Sequence, residues 1–140
     1  MTTSGLPSQL RLAVMRLGRR LRQEAVGDIT ASQLSALSTV ARSGPLSLGE
    51  LSEIERIAPP STTRIVGRLE ERGLVVRTVD AADRRVARLA ASEAGQSLLN
   101  QTRTRRDAYL ALRLQAMTAE ERETLMRALP LLERLTGDEE

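Results

Sequence analysis

The sequence predicts a mainly α-helical fold carrying one small β-hairpin. Its helix starts are marked by capping residues, its centre runs helix, turn, helix, hairpin, and both ends carry apolar stripes at helical spacing. Together these features define a winged helix-turn-helix lobe over residues 30–91. A helical module made of residues 1–26 and 92–140 flanks it, and the whole of 1–140 is expected to fold as one domain.

The elements follow in order. A first helix is expected over residues 6–24, where Leu6, Leu10, Val14, Leu17 and Leu21 make a narrow stripe and Arg11, Arg16, Arg19, Arg20 and Arg22 lie off it. Thr30 with Gln33, Ser47 with Glu50 and Thr118 with Glu121 fit the capping box, in which side chain and backbone at a helix start satisfy each other. Ser92 is a simpler N-cap without the reciprocal acid. The second helix is expected from Ala31 to Arg42 with Leu34, Leu37 and Val40 inward, stopped by Ser43-Gly44-Pro45. Leu46 then falls in a short extended segment, and a third helix from Leu48 to Arg56 turns Leu51 and Ile54 inward.

Ala58-Pro59-Pro60 makes the next turn, since proline is tolerated where a helix amide has no partner. The fourth helix runs from Pro60 to Arg72, and Gly73 is placed to close it with Leu74 as the accompanying apolar contact. Residues 74–79 and 85–90 are β-rich and flank Asp80-Ala81-Ala82-Asp83, a turn composition. A fifth helix from Ser92 to Met117 and a sixth from Ala119 to Leu135 complete the chain, with Pro130 expected to kink or end the sixth.

Composition narrows the function. The chain has no cysteine and no histidine, so disulfides, thiol chemistry and imidazole ligands are excluded, and neither a metal site nor a cofactor is expected. All 21 basic residues are arginine, which removes Schiff-base lysine chemistry. The remaining Asp, Glu, Ser and Arg form no paired constellation, so an enzyme is not expected. Tyr109 is the single aromatic residue, which disfavours the base-stacking platforms of single-stranded nucleic-acid binders. No apolar run spans a bilayer and the N-terminus lacks an apolar h-region, so no membrane role and a cytoplasmic location are expected. The net charge is +3, but residues 120–140 hold seven acids against three arginines, a balance of −4, so residues 1–119 carry +7. A basic body with an acidic tail suits a polyanion on one side.

The fourth helix and the hairpin carry the chemistry. Thr62, Ile65, Val66 and Leu69 share the inner face, which leaves Pro60, Ser61, Thr63, Arg64, Gly67 and Arg68 facing out. Hydroxyls near a helix start can reach phosphates or base edges, and Arg64 can bridge guanine O6 and N7. Gly67 in mid-helix costs about 1 kcal/mol against alanine, a cost that a close backbone approach would justify. Asp83-Arg84-Arg85 lies at or just after the hairpin tip, with Arg77 and Arg88 on its strands. A guanidinium-rich tip suits a minor groove, and Asp83 must pair with an arginine or it would repel phosphate. Tip and helix in this order favour binding of double-stranded DNA over a merely solvated surface.

These motifs resemble those of the MarR (multiple antibiotic resistance regulator) family of winged-helix transcription factors. PSTTRIVGRLEERGLVVR, from Pro60 to Arg77, is similar to the family's recognition-helix pattern, and DRRVARLAASEAG, from Asp83 to Gly95, to its wing pattern. The resemblance implies that Ser61, Thr63, Arg64 and Arg68 face the major groove and that Arg85, beside Arg84, enters the minor groove with Asp83 orienting the wing. The chain departs from the pattern at Ala91-Ser92, where the family has Leu-Thr, with weaker packing of the wing on the fifth helix expected. It departs again at Thr62, where the family has an apolar residue and a looser inner contact is expected. The resemblance further implies a homodimer joined by the first and last two helices, a repressor reading a pseudo-palindromic site, and release by a small-molecule effector.

The residues support a dimerisation module independently. Leu110, Leu112, Leu114, Met117, Leu125, Met126, Leu129, Leu132 and Leu135, added to the first stripe, exceed what one small wing domain can cover. Between them the fifth helix carries Arg103, Arg105 and Arg106. These either reach an effector cleft between the two modules or form a solvated face with Arg103 paired to Asp107. An anionic effector would suit the arginines, whereas a phenolic one would meet aliphatic and arginine walls. The alternative to a DNA-binding regulator is a winged-helix protein-interaction module without specific DNA binding.

Overall fold

The computed structural model describes residues 5–137. The ends of the expected helical module, with three of the tail's seven acids, lie outside the described residues. Six helices and two strands follow in the order α1 (Leu6–Arg22), α2 (Ala31–Ser43), α3 (Leu48–Glu55), α4 (Pro59–Glu71), β1 (Val75–Val79), β2 (Ala87–Ala91), α5 (Glu93–Gln115) and α6 (Ala119–Arg134). The strands pair antiparallel, with Arg77 opposite Leu89 at the centre. Leu46 joins the outer edge of β2 through two backbone bonds with Leu89, of 3.0 and 2.6 Å, so the extended segment expected there is a one-residue third strand.

One core organises the lobe. Leu37, Leu51, Val66, Leu69 and Leu89, all at 1 % exposure or less, come from α2, α3, α4 and β2, and Leu98 of α5 closes the cluster. Helix ends are set by local chemistry. Thr30 and Thr118 close complete capping boxes. At Ser47 the hydroxyl accepts the Glu50 amide at 3.1 Å, and the Glu50 carboxylate also meets Arg88 at 2.6 Å. Gly73 takes φ 70°, which lets its amide donate to Glu70 O and that of Leu74 to Leu69 O, both at 2.9 Å, while Leu74 is buried.

Several expectations are corrected. Ile54 faces outward, 48 % exposed, because the inner stripe of α3 is Leu48, Leu51, Ser52 and Glu55. Glu55 holds that register by accepting Ser35 Oγ at 2.9 Å and Thr39 Oγ1 at 2.6 Å from α2. Thr62 does not loosen the α3–α4 contact: its buried hydroxyl accepts Ser52 Oγ at 2.7 Å, a polar joint in place of an apolar one. At the other departure, Ala91-Ser92, hydrogen bonds join α5 to the α4–β1 turn, Ser92 N to Leu74 O at 3.0 Å and Ser92 Oγ to Gly73 O at 2.5 Å. Of the two effects expected of Pro130, a kink or an end, the end does not occur, since α6 continues through it. Strand β2 begins two residues later than expected, because Arg85 and Val86 belong to the wing loop.

The helical module contrasts with this lobe. Within the described residues no side chain of α1 or α6 is buried. Leu6, Val14, Leu17, Leu112, Leu125, Met126, Leu129 and Leu135 are all exposed.

Candidate nucleic-acid interface

Helix α4 presents its inner and outer faces as its sequence requires. Thr62, Val66 and Leu69 are buried and Ile65 half-buried, whereas Pro60, Thr63, Arg64 and Arg68 are exposed, with Ser61 and Gly67 between. Pro59 and Pro60 occupy the first turn, where missing amides cost nothing. Thr63 bonds back to Pro59 O at 3.1 Å, which fixes its rotamer and leaves its lone pairs outward. Arg68 meets Glu71 only at 3.6 Å with both side chains well exposed, a contact of little energetic weight. Among the described residues Arg64 has no hydrogen bond or ion pair, so its guanidinium is free for a ligand.

The wing loop between the strands is built by two aspartates. One Asp80 oxygen accepts the amides of Ala82 at 2.7 Å and Asp83 at 3.3 Å, an Asx turn, and the other accepts Arg88 Nε at 3.2 Å. These bonds, the Ala82 amide first and then Arg88, hold the Asp80 carboxyl below its ordinary range. Asp83 pairs with Arg85, as the phosphate-repulsion argument requires. It accepts Arg85 Nε at 3.1 Å and Nη2 at 3.3 Å, and that pairing lowers its own titration. The Arg85 side chain is nevertheless 91 % exposed, and Arg84 projects beside it without a partner among the described residues.

Arg77 and Arg88 do not join the tip. Arg77 binds Glu70 at 2.7 Å, and Arg88 binds both Glu50 and Asp80. Asp80 is therefore the loop-building residue that sequence reading passes over. The signal was its position three residues ahead of Asp83 in a turn composition, where an aspartate commonly caps following amides.

A cleft of about 540 Å³ opens between α1, α2 and α5. Arg103 and Arg106 line it, but Arg105 does not: it turns to the other side of α5 and meets Glu24 at 3.7 Å. Arg106 Nε also donates to Leu21 O at 3.0 Å, tying α5 to the end of α1. Arg103 and Asp107 form no pair, and both face the cleft. Arg22 and Arg42 complete the guanidinium lining and are not foreseen from the sequence. For Arg42 the signal was spacing, since it continues the helical face of Ser35, Ser38 and Thr39.

Comparison with known proteins agrees with this architecture. The sequence profile described as MarR family matches residues 29–87, from just before α2 to the first residue of β2. An HTH-type transcriptional regulator of Mycobacterium tuberculosis is 39 % identical over 134 residues, covering 95 % of this chain and 94 % of that protein. The HTH-type transcriptional repressor MdtR of Bacillus subtilis is 28 % identical over 121 residues, covering 83 % and 78 %. The solved structure of a MarR family protein from Bacillus stearothermophilus superposes with a TM-score of 0.81 at 30 % identity, covering 97 % of this chain and 96 % of that one. The free outer face of α4 beside an arginine-bearing wing is thus found on a chain that belongs to the MarR family of DNA-binding, winged helix-turn-helix transcriptional regulators.

Proposed function

We propose that the chain is a dimeric cytoplasmic repressor that occludes transcription by binding a pseudo-palindromic DNA site. Ser61, Thr63, Arg64 and Arg68 read the major groove, while Arg84 and Arg85 enter the adjacent minor groove with Asp83 orienting the tip. The observation that carries this reading is the unpaired Arg64 on the outer face of α4 beside an exposed Arg85 at the wing tip. A protein-interaction module would have no need of an unpaired Arg64 on this face together with an exposed arginine at the wing tip. The name of MdtR as a repressor supports the sign of regulation. The exposed apolar faces of α1, α5 and α6 support the twofold assembly, which sets half-sites about one helical turn apart.

An anionic small molecule in the α1–α2–α5 cleft is the proposed effector. Arg22, Arg42, Arg103 and Arg106 converge there, and its volume falls within the usual ligand range. Its lining has no aromatic side chain, so a phenolic ring would meet aliphatic and arginine walls without ring stacking. Occupancy would change the angle between lobe and module and hence the spacing of the two recognition helices.

Selection of bound duplexes from a random pool tests the reading, repeated with Arg64→Ala and Arg85→Ala. An enriched inverted repeat, relaxed or lost in both variants, is the expected result. Weak, salt-sensitive binding that neither variant alters would end the operator reading and favour the protein-interaction module.

A further inference from the structure

Arg88 behaves unlike the other wing arginines. Its guanidinium lies between two carboxylates from different parts of the fold: Nη1 is 2.6 Å from Glu50 Oε1 in the first turn of α3, and Nε is 3.2 Å from Asp80 Oδ2 at the base of the wing loop. Asp80 in turn holds the amides of Ala82 and Asp83, and Asp83 grips Arg85. Bonds therefore run without a break from the helix-turn-helix to the wing-tip guanidinium. The hairpin needs such a brace. Its buried residues, Val75 and Leu89, lie at the base and the centre, and beyond Arg88 a single pair, Val79 opposite Ala87, precedes the loop. An isolated two-stranded hairpin is marginal in water.

Charge argues against a direct DNA contact. Two carboxylates against one guanidinium leave the Glu50–Arg88–Asp80 group with a charge of −1, which repels phosphate. Both carboxyls titrate below their ordinary range, Glu50 through Ser47 and then Arg88, so the group keeps that charge at neutral pH.

We propose that Arg88 is a positioning residue: with Glu50 and Asp80 it braces the wing against α3 and aims Arg85, without itself touching DNA. The proposal rests on the reading that Arg85 enters the minor groove, and a double-mutant cycle separates the two. Arg85→Ala is measured for DNA affinity in the wild-type chain, in Arg88→Gln and in Asp80→Asn. The last variant keeps the amide-capping oxygen of residue 80 but loses its charge. Arg64→Ala in the same backgrounds is the control, and thermal unfolding of each free protein accompanies it.

In the wild-type chain Arg85→Ala should weaken binding about ten- to hundredfold, as for a specific base-edge contact. In the Arg88→Gln and Asp80→Asn backgrounds it should cost less than about threefold, while Arg64→Ala keeps its full effect. The salt dependence of Arg88→Gln alone should match that of Arg85→Ala. Additive losses, or a salt slope lowered by about 1 in Arg88→Gln even when Arg85 is already alanine, would make Arg88 a phosphate contact and overturn the brace. Equal weakening of the Arg64 and Arg85 effects would reduce Arg88 to a general stabiliser and overturn it too. If Arg85→Ala costs nothing in the wild-type chain, the minor-groove reading fails and the brace has nothing to aim.

Discussion

Replacing Gly67 by alanine should make the protein more stable and a poorer binder of DNA. A Cβ built on Gly67 meets nothing within 4 Å, and the residue does not lie in the left-handed region, so the fold has room for the methyl. Gly67 sits near the middle of α4, where glycine is less favourable than alanine by about 0.8–1 kcal/mol. Unfolding entropy of about 2 cal/mol/K per residue gives a chain of this size roughly 0.3 kcal/mol/K, so the gain should raise Tm by about 3 °C. The same methyl points into the space between Arg64 and Arg68, where DNA would lie. Holding the duplex even 0.5–1 Å further out forfeits about a quarter to a half of each close contact, so affinity for the selected site should fall about tenfold. Circular dichroism melts and fluorescence anisotropy on one labelled duplex read both quantities. A higher Tm with unchanged affinity would mean that DNA does not approach the α4 backbone. An unchanged or lower Tm would mean that α4 is under a constraint not visible in its contacts. Gly95→Ala is the counter-example: its Cβ would stand 2.2 Å from Leu74 O and 3.1 Å from Leu37 Cδ1, so it should lower stability by about 1–3 kcal/mol with no specific effect on DNA.

Other expectations follow from the same contacts. Ser52→Ala should cost about 1–3 kcal/mol by leaving the buried Thr62 hydroxyl with only a long bond to Ala58 O, while Ser52→Ala with Thr62→Val should recover most of that loss in denaturant melts. Asp80 and Asp83 titrate below the ordinary aspartate range, so the wing stability they contribute is present at neutral pH and lost only as pH falls through those lowered values. Amide shifts of Ala82 and Arg85 should move with a midpoint below the ordinary aspartate value, and a midpoint at or above it would contradict the bonding described. Leu129→Asp, on an exposed apolar face of α6, should convert the proposed dimer to a monomer in sedimentation without unfolding the lobe.

Much of this architecture can be read in the sequence because it depends on local chemistry. The Thr30 and Thr118 caps, the Gly73 closure and the inward faces of α2 and α4 each depend on residues within a few positions of one another. Arginine pairing does not. Arg88 is 38 residues from Glu50, so which cation is spent in the fold and which remains free is decided by tertiary placement. The same cause hides Arg22 of the cleft and the outward turn of Arg105. Ile54 misleads for another reason: α3 turns a serine and a glutamate inward because hydroxyls on α2 and α4 await them, and apolar periodicity has no means of seeing that.

The uneven placement of buried residues has a consequence for how the protein exists at low abundance. Its core draws on residues from Leu34 to Leu98, whereas no residue of α1 or α6 is fully buried within the chain. Stability of the lobe is then a property of a single molecule, whereas in the proposed dimer order in the terminal helices would depend on mass action with the second copy. On dilution these helices should loosen first, while the DNA-facing lobe remains intact.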